Sequence, residues 1–248
     1  MSSQGSWTTI EVAGHACDVF DPAEHCRPDR AVVYLHGRHV TRLADNAVFT
    51  AEFARHGLRV IAPQTARSWW SDKILDEFDK NISAEHYLID EVLPAIAERW
   101  GVLPPLVALL GTSMGGQGAL RLAFKHPRLF PVTAGISPAI DYQVRYYEDD
   151  AIAQMYPDPE SVRQDTATLH VHPLNWPRNT WFACDPLDVR WHESAERLHM
   201  KMSALGIMHE YDGETSAGGH GWQYYNHMAP RAVGFVAERL EQEQRRVP

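Results

Sequence analysis

The chain has 248 residues, 44% of them hydrophobic and 22% charged, which excludes a disordered or fibrous protein and fits a single large α/β domain spanning residues 1–248. A formal net charge of −9 with no basic stripe excludes a surface that tracks phosphates, so nucleic acid is not an expected partner. No apolar run approaches a membrane span, and Met1 to Thr8 lacks the regions of a signal peptide, so the expectation is a cytoplasmic protein with no membrane partner.

Trp7 to Val12 and His15 to Phe20 alternate as two strands joined at Gly14, an antiparallel edge. After a loop, Ala31 to Leu35 reads as a buried strand running into His36-Gly37-Arg38-His39. A loop with a glycine just past a central strand is where an α/β protein places an anion-binding amide. Asp45 to His56 is a predicted helix closed by Gly57, and Leu58 to Ala62 a strand stopped by Pro63. Gln64 to Asp79 is irregular. Its Trp69-Trp70 pair either lines a site or plugs the space under a loop. Ser83 caps a long predicted helix over Ala84 to Trp100, with Leu88, Val92, Leu93 and Ile96 on one face despite Pro94.

Leu106 to Leu110 is the next buried strand and Gly115 to Lys125 the helix behind it. Between them stands Gly111-Thr112-Ser113-Met114-Gly115, a G-x-S-x-G in the strand-turn-helix context of a nucleophile elbow. Side chains two residues either side of so sharply turned a serine would collide with the neighbouring backbone, which is why glycines occupy both positions. Pro131 to Ile136 is a further strand. Residues 141–178, rich in tyrosine and proline, break the alternation and read as a partly helical insertion able to act as a lid. Thr180 to Cys184 is a strand followed by the acidic loop Asp185-Pro-Leu-Asp188. A helix from His192 to Leu205, a last strand from Ile207 to Tyr211, a glycine-rich loop containing His220 and a closing helix from Pro230 to Gln242 complete the chain.

A serine is a weak nucleophile unless a base takes its proton, and the base needs a carboxylate to fix its tautomer. Ser113, an acid after the strand ending at Cys184 and His220 after the last strand follow the order serine, acid, histidine of α/β-hydrolases. His227 is the alternative base. Asp188 is preferred as the acid over Asp185, since an aspartate before proline often caps a turn. Asp165 and Asp212 read as solvent-facing or capping. An oxyanion hole would use the amide of Met114 and one from the His36 to His39 loop, for which Arg38 is the choice. There is no H-E-x-x-H, and His170-Val-His172 lacks a third ligand, so no catalytic metal is expected. Cys17, Cys26 and Cys184 form no metal pattern, and a Cys17 to Cys26 bridge is disfavoured in a reducing compartment.

Leu35-His36-Gly37, Gly111 to Leu120, Phe124-Lys-His-Pro-Arg-Leu-Phe130 and Gly218-Gly-His-Gly-Trp222 together resemble the esterase D family of S-formylglutathione hydrolase-like esterases, within the α/β-hydrolase superfamily. The resemblance spans Ala31 to Leu240. It implies an α/β-hydrolase fold, a mostly parallel central sheet with helices on both faces, and a serine esterase or thioesterase that needs no cofactor. By position Ser113 matches the family's nucleophile, His220 its base, Asp188 its acid and Arg38 the second oxyanion donor. Two departures stand out: Asp185 replaces a glycine, and Arg38-His-Val-Thr41 replaces a small-residue loop, putting a cation where it would narrow the site or attract an acidic leaving group. Asp158 to Asp165 resembles the family's insertion after the sixth strand. The implied substrate is a small ester or thioester, and self-association into a homo-oligomer stays open. An acyltransferase in which an alcohol replaces water, with the pocket around Trp69, Trp70 and Trp222 deciding the outcome, and a non-catalytic binding protein on a hydrolase scaffold are the alternatives.

Overall fold

The structure, a computed structural model, describes residues 4–246. Gly5–Val12 (β1) and His15–Pro22 (β2) form the expected hairpin. Ala13 and Gly14 both have positive φ, 47° and 84°, as the tightest two-residue turn between twisted strands requires. Six further strands follow: Ala31–Leu35 (β3), Arg59–Pro63 (β4), Val107–Thr112 (β5), Val132–Ile136 (β6), Asn179–Ala183 (β7) and Glu210–Asp212 (β8). The sheet order is β1-β2-β4-β3-β5-β6-β7-β8, antiparallel only where β2 meets β1 and β4. The continuous apolar runs of β3 and β5 are buried along their whole length, as strands covered on both faces must be.

Ala47–His56 (α1) is capped by the Asn46 side chain, which accepts the amides of Val48 and Phe49, and ends at left-handed Gly57. Asp45, the expected first residue, belongs to a preceding 3₁₀ turn. The second helix (α2) is continuous from Ala84 to Trp100 but passes through a π-helical stretch, Tyr87–Val92. That wide turn places Pro94 in the first turn of the resuming α-helix, where no amide hydrogen is needed. Met114–Lys125 (α3) follows the elbow. Residues 141–178 carry a 3₁₀ turn, Tyr142–Arg145, and three short helices, Asp150–Met155 (α4), Pro159–Gln164 (α5) and Ala167–His170 (α6). His192–Ala204 is α7 and Trp222–Gln244 is α8.

Two expected boundaries are corrected. The closing helix begins at Trp222, not Pro230, and runs through the proline. An internal proline costs about 3 kcal/mol, and the burial of Tyr224, Tyr225, Met228 and Ala229 in the turns ahead of it offsets that loss at about 1.5–3 kcal/mol for each large side chain. The last strand pairs only from Glu210, because an edge strand has one neighbour and His209 turns its ring back to the Ile207 carbonyl.

Helices α1 and α8 cover one face of the sheet; α2, α3, α7 and the insertion cover the other. Leu35 lies opposite Gly111, Thr112 opposite Ile136, Ile136 opposite Ala183 and Ala183 opposite Asp212. The carboxyl ends of β3, β5, β6, β7 and β8 are therefore in line. From β3 the chain steps to β4 on one side and then crosses to β5 on the other, so the loops after β3 and β5 diverge and leave a crevice between them.

Candidate active site

Ser113 turns the chain from β5 into α3 with φ 56° and ψ −118°, a conformation that costs a non-glycine residue about 1–3 kcal/mol. The surroundings hold it there. Its amide donates to Ile136 O (3.0 Å) and its carbonyl accepts from Gln117 (3.1 Å) and Ala139 (3.0 Å). A Cβ on Gly111 would lie 2.1 Å from the Gly115 carbonyl oxygen, and one on Gly115 would lie 1.9 Å from that of Leu35. Both glycines are thus fixed by backbone collisions.

Ser113 Oγ lies 2.9 Å from His220 Nε2, and His220 Nδ1 lies 2.6 Å from Asp188 Oδ2. A carboxylate only accepts, so Nδ1 carries the imidazole proton and the Nε2 lone pair is free to take the serine hydroxyl. Asp188 is buried, and its other oxygen accepts the Trp191 amide (3.2 Å), which fixes its rotation. Asp185 has a different task. Its Oδ1 accepts the Leu187 amide (2.8 Å), the turn-capping bond, and the Ser216 hydroxyl (2.9 Å), while Oδ2 takes the amides of Ala217 (2.7 Å) and Gly219 (2.8 Å). Burial pushes this carboxyl's pKa up, and those four donors outweigh it, holding the group below the usual carboxylate range. Asp185 thereby staples the loop that carries His220 to the loop that carries Asp188.

Met114 is the first residue of α3, where an amide has no intrahelical partner. The His36 to Thr41 loop runs beside it: a Cβ on Gly37 would sit 3.4 Å from Ser113 Cβ. Among the described residues neither the Met114 nor the Arg38 amide has an acceptor. The Arg38 guanidinium is turned toward the insertion, with Nε donating to buried Asp149 (2.6 Å).

These residues open onto a cavity of about 470 Å³, within the usual range for small-molecule sites. Its apolar walls include Trp69, Trp191, Trp222 and Tyr225. The tryptophan pair divides its roles: Trp69 lines the cavity, whereas Trp70 is an interior plug whose indole donates to His36 O (3.2 Å). Five lining residues have no place in the sequence reading: Arg145, Val189, Arg190, Trp191 and Tyr225. Val189, Arg190 and Trp191 follow Asp188 directly, so the signal was at hand in the acid loop. Burial pushes the Tyr225 phenol well above its ordinary pKa, against the pull of the Ser113 hydroxyl.

Other candidates lie elsewhere. His227 is exposed on α8 outside the cavity. Asp212 caps the turn at Glu214 and Thr215 and pairs with Arg231. Asp165 is not solvent-facing: it is half-buried and binds Arg121, Tyr156 and His170. Burial raises its pKa, and His170, Arg121 and Tyr156 more than reverse that, bringing it down to about 2. His172 accepts the Leu174 amide (3.2 Å) instead of facing a ligand. Among the described residues no group of three or more His, Cys, Asp or Glu side chains is placed to hold a metal ion, the cysteines are unpaired, and no helix is long and apolar enough to cross a membrane.

A mostly parallel eight-stranded sheet with helices on both faces, and a serine elbow at the carboxyl end of β5, make this protein an α/β-hydrolase. The "Putative esterase" family matches residues 31–236, and the chain belongs to that family of carboxylic ester hydrolases. None of the curated proteins matches the sequence. Among solved structures, an S-formylglutathione hydrolase from Agrobacterium tumefaciens is similar with a TM-score of 0.78 at 17% identity, over 97% of each chain. A fluorophosphonate-binding serine hydrolase of Staphylococcus aureus has a TM-score of 0.76 at 15% identity, over 95% of this chain and 99% of its own. An S-formylglutathione hydrolase of Staphylococcus aureus has a TM-score of 0.70 at 15% identity, over 95% of this chain and 100% of its own. At these identities the likeness is one of fold.

Proposed function

We propose that the protein cleaves a small carboxylic ester or thioester through an acyl-enzyme on Ser113. His220 takes the proton as Ser113 Oγ attacks the carbonyl carbon and returns it to the departing alcohol or thiol; Asp188 holds the imidazole and stabilises its cation. The Met114 and Arg38 amides receive the oxyanion. Water, deprotonated by His220, then attacks the acyl carbon and frees the serine. The observation that carries this reading is the hydrogen-bonded chain from Ser113 through His220 to Asp188, with the buried carboxylate at its far end. The reading places the enzyme in the cytoplasm, where the three free thiols persist reduced.

The test is turnover of a p-nitrophenyl ester series, S-formylglutathione and an acyl-CoA, with fluorophosphonate labelling alongside. Ser113→Ala and His220→Ala are expected to lower kcat by about 10⁴-fold or more, since such residues act as a unit, and Ser113→Ala to abolish labelling. A folded wild type that is neither labelled nor active on any of these would overturn the reading.

A further inference from the structure

Among the described residues three arginines line the cavity, Arg38, Arg145 and Arg190, and the only carboxylate that lines it, Asp188, is committed to His220. The acids behind the wall are shared. Asp149 takes Arg38 at 2.6 Å and Arg67 at 3.5 Å; Glu148 takes Arg190 at 2.9 Å and reaches Arg145 only at 3.7 Å. Arg145 is therefore the cation with the weakest partner. Burial, then repulsion from Arg190 and Arg38, lowers its pKa from the ordinary arginine value against the pull of Glu148 and Asp149.

Arg145 Nε is buried with no hydrogen-bond partner among the described residues, and so is the indole Nε1 of Trp69. Both residues line the cavity. Tyr142 and Arg145 stand three apart in one 3₁₀ turn, where side chains eclipse, and the Tyr142 ring stacks on Trp69 with centroids 4.7 Å apart and planes 12° apart. Both of these atoms are themselves shielded from the cavity, so a ligand there would meet the partly exposed remainder of the Arg145 guanidinium, whose ion-pair partner among the described residues, Glu148, stands 3.7 Å away. A carboxylate carries two oxygens and the charge that the arginine lacks.

We propose that the Trp69 and Arg145 wall of the cavity receives a carboxylate borne by the substrate, so that the enzyme prefers esters carrying a free carboxylate over neutral esters of the same size. This rests on the serine esterase reading above. The carboxylate can belong to the acyl half, as in a monoester of a dicarboxylic acid, or to the leaving alcohol.

Two matched pairs separate these sources: mono-p-nitrophenyl glutarate against p-nitrophenyl valerate, and 4-carboxyphenyl butyrate against 4-carbamoylphenyl butyrate. At least one charged member is expected to exceed its neutral match in kcat/KM by about tenfold or more, a preference that added salt reduces. Arg145→Gln brings that ratio toward one, Arg145→Lys retains part of it, and Arg190→Gln lowers it less. The ratio is read within each variant, so a loss of folded protein does not mimic the effect. Ratios at or below one in both pairs for a wild type that turns over the neutral esters and is labelled by fluorophosphonate would sink the carboxylate site and leave the esterase standing. A ratio unchanged in both Arg145→Gln and Arg190→Gln would do the same. No labelling and no turnover would remove both.

Discussion

Two clusters of arginine, carboxylate and aromatic side chains meet at Tyr142, and they differ in how completely they are satisfied. In the first, buried Arg121 of α3 donates to Glu85 (2.5 Å) and, through two nitrogens, to Asp165 (2.9 and 2.6 Å). Glu85 also takes Lys125 and His126, and Asp165 takes His170 and Tyr156. Every charge there has an opposite charge in contact. At the cavity the same residue types leave Arg145 and Trp69 with donors unspent. Tyr142 belongs to both clusters: its hydroxyl bonds Tyr156 in the first (2.9 Å) and its ring faces Trp69 in the second. The saturated cluster pins the insertion to α3, and the unsaturated one leaves Arg145 with its weakest pairing beside the cavity. Satisfaction, more than residue type, separates scaffold from site.

The sharpest contrast lies within one loop. Asp188→Asn should reduce kcat by about 10³- to 10⁴-fold, because an amide there can hold the wrong tautomer of His220, with little change in Tm. Asp185→Asn should reduce kcat far less but lower Tm by several degrees, since the loops of Ala217 and Gly219 lose their charged acceptor at about 1–3 kcal/mol. Equal kcat losses, or the larger one at Asp185, would reverse the roles given to the two acids. Next in size is Arg121→Met. Removing one partner of a buried ion network while leaving Glu85 and Asp165 in place should cost about 3–5 kcal/mol, read by denaturant unfolding, while kcat of the folded fraction stays within a few-fold. A loss of kcat comparable to that of Asp188→Asn without destabilisation would show that the cluster is not scaffold.

The parts of the fold legible in sequence are those that local physics dictates. Gly111 and Gly115 are set by collisions with Gly115 O and Leu35 O, the C-terminal end of α1 by Gly57, and the central strands by burial on both faces. The start of α8 was hidden because Pro230 reads as a first-turn residue, whereas tertiary burial of Tyr224, Tyr225 and Met228 carries the helix back to Trp222. Within the candidate site, the order Ser113, Asp188, His220 can be read along the chain, but the cavity walls cannot. Arg145 comes from a 3₁₀ turn in the insertion and Tyr225 from α8, and only the sheet register brings them near β5. Trp69 and Trp70 are adjacent, both with positive φ, yet one faces the cavity and the other the interior, a distinction no composition argument reaches.

The smallest effect concerns the loop that carries Arg38. His36 is buried at its base, with Nδ1 donating to Gly37 O (2.9 Å) and Nε2 accepting the Thr65 amide (3.0 Å), an arrangement only the neutral ring satisfies. Burial pushes its pKa down to about 4, against about 6.5 in an unfolded chain. Above the unfolded value both states are neutral and the stabilising contribution is complete. As pH falls from about 6.5 toward 4 the unfolded chain binds a proton that the folded one refuses, so stability declines by up to about 1.4 kcal/mol per pH unit, about 3 kcal/mol in all. Glu85 and Asp165, held below the usual carboxylate range by their cations, lose their contribution only at lower pH. His56 and His209 also have lowered values, but they are common to wild type and variant and cancel in the difference. His36→Asn, which keeps a donor near Gly37 O, should therefore be less stable than wild type at pH 7.5 but lose less on going to pH 5, so that the two denaturation midpoints converge as the solution is acidified. Parallel midpoints over that range would mean that His36 titrates normally and that the loop beside Ser113 is held by something other than a neutral imidazole.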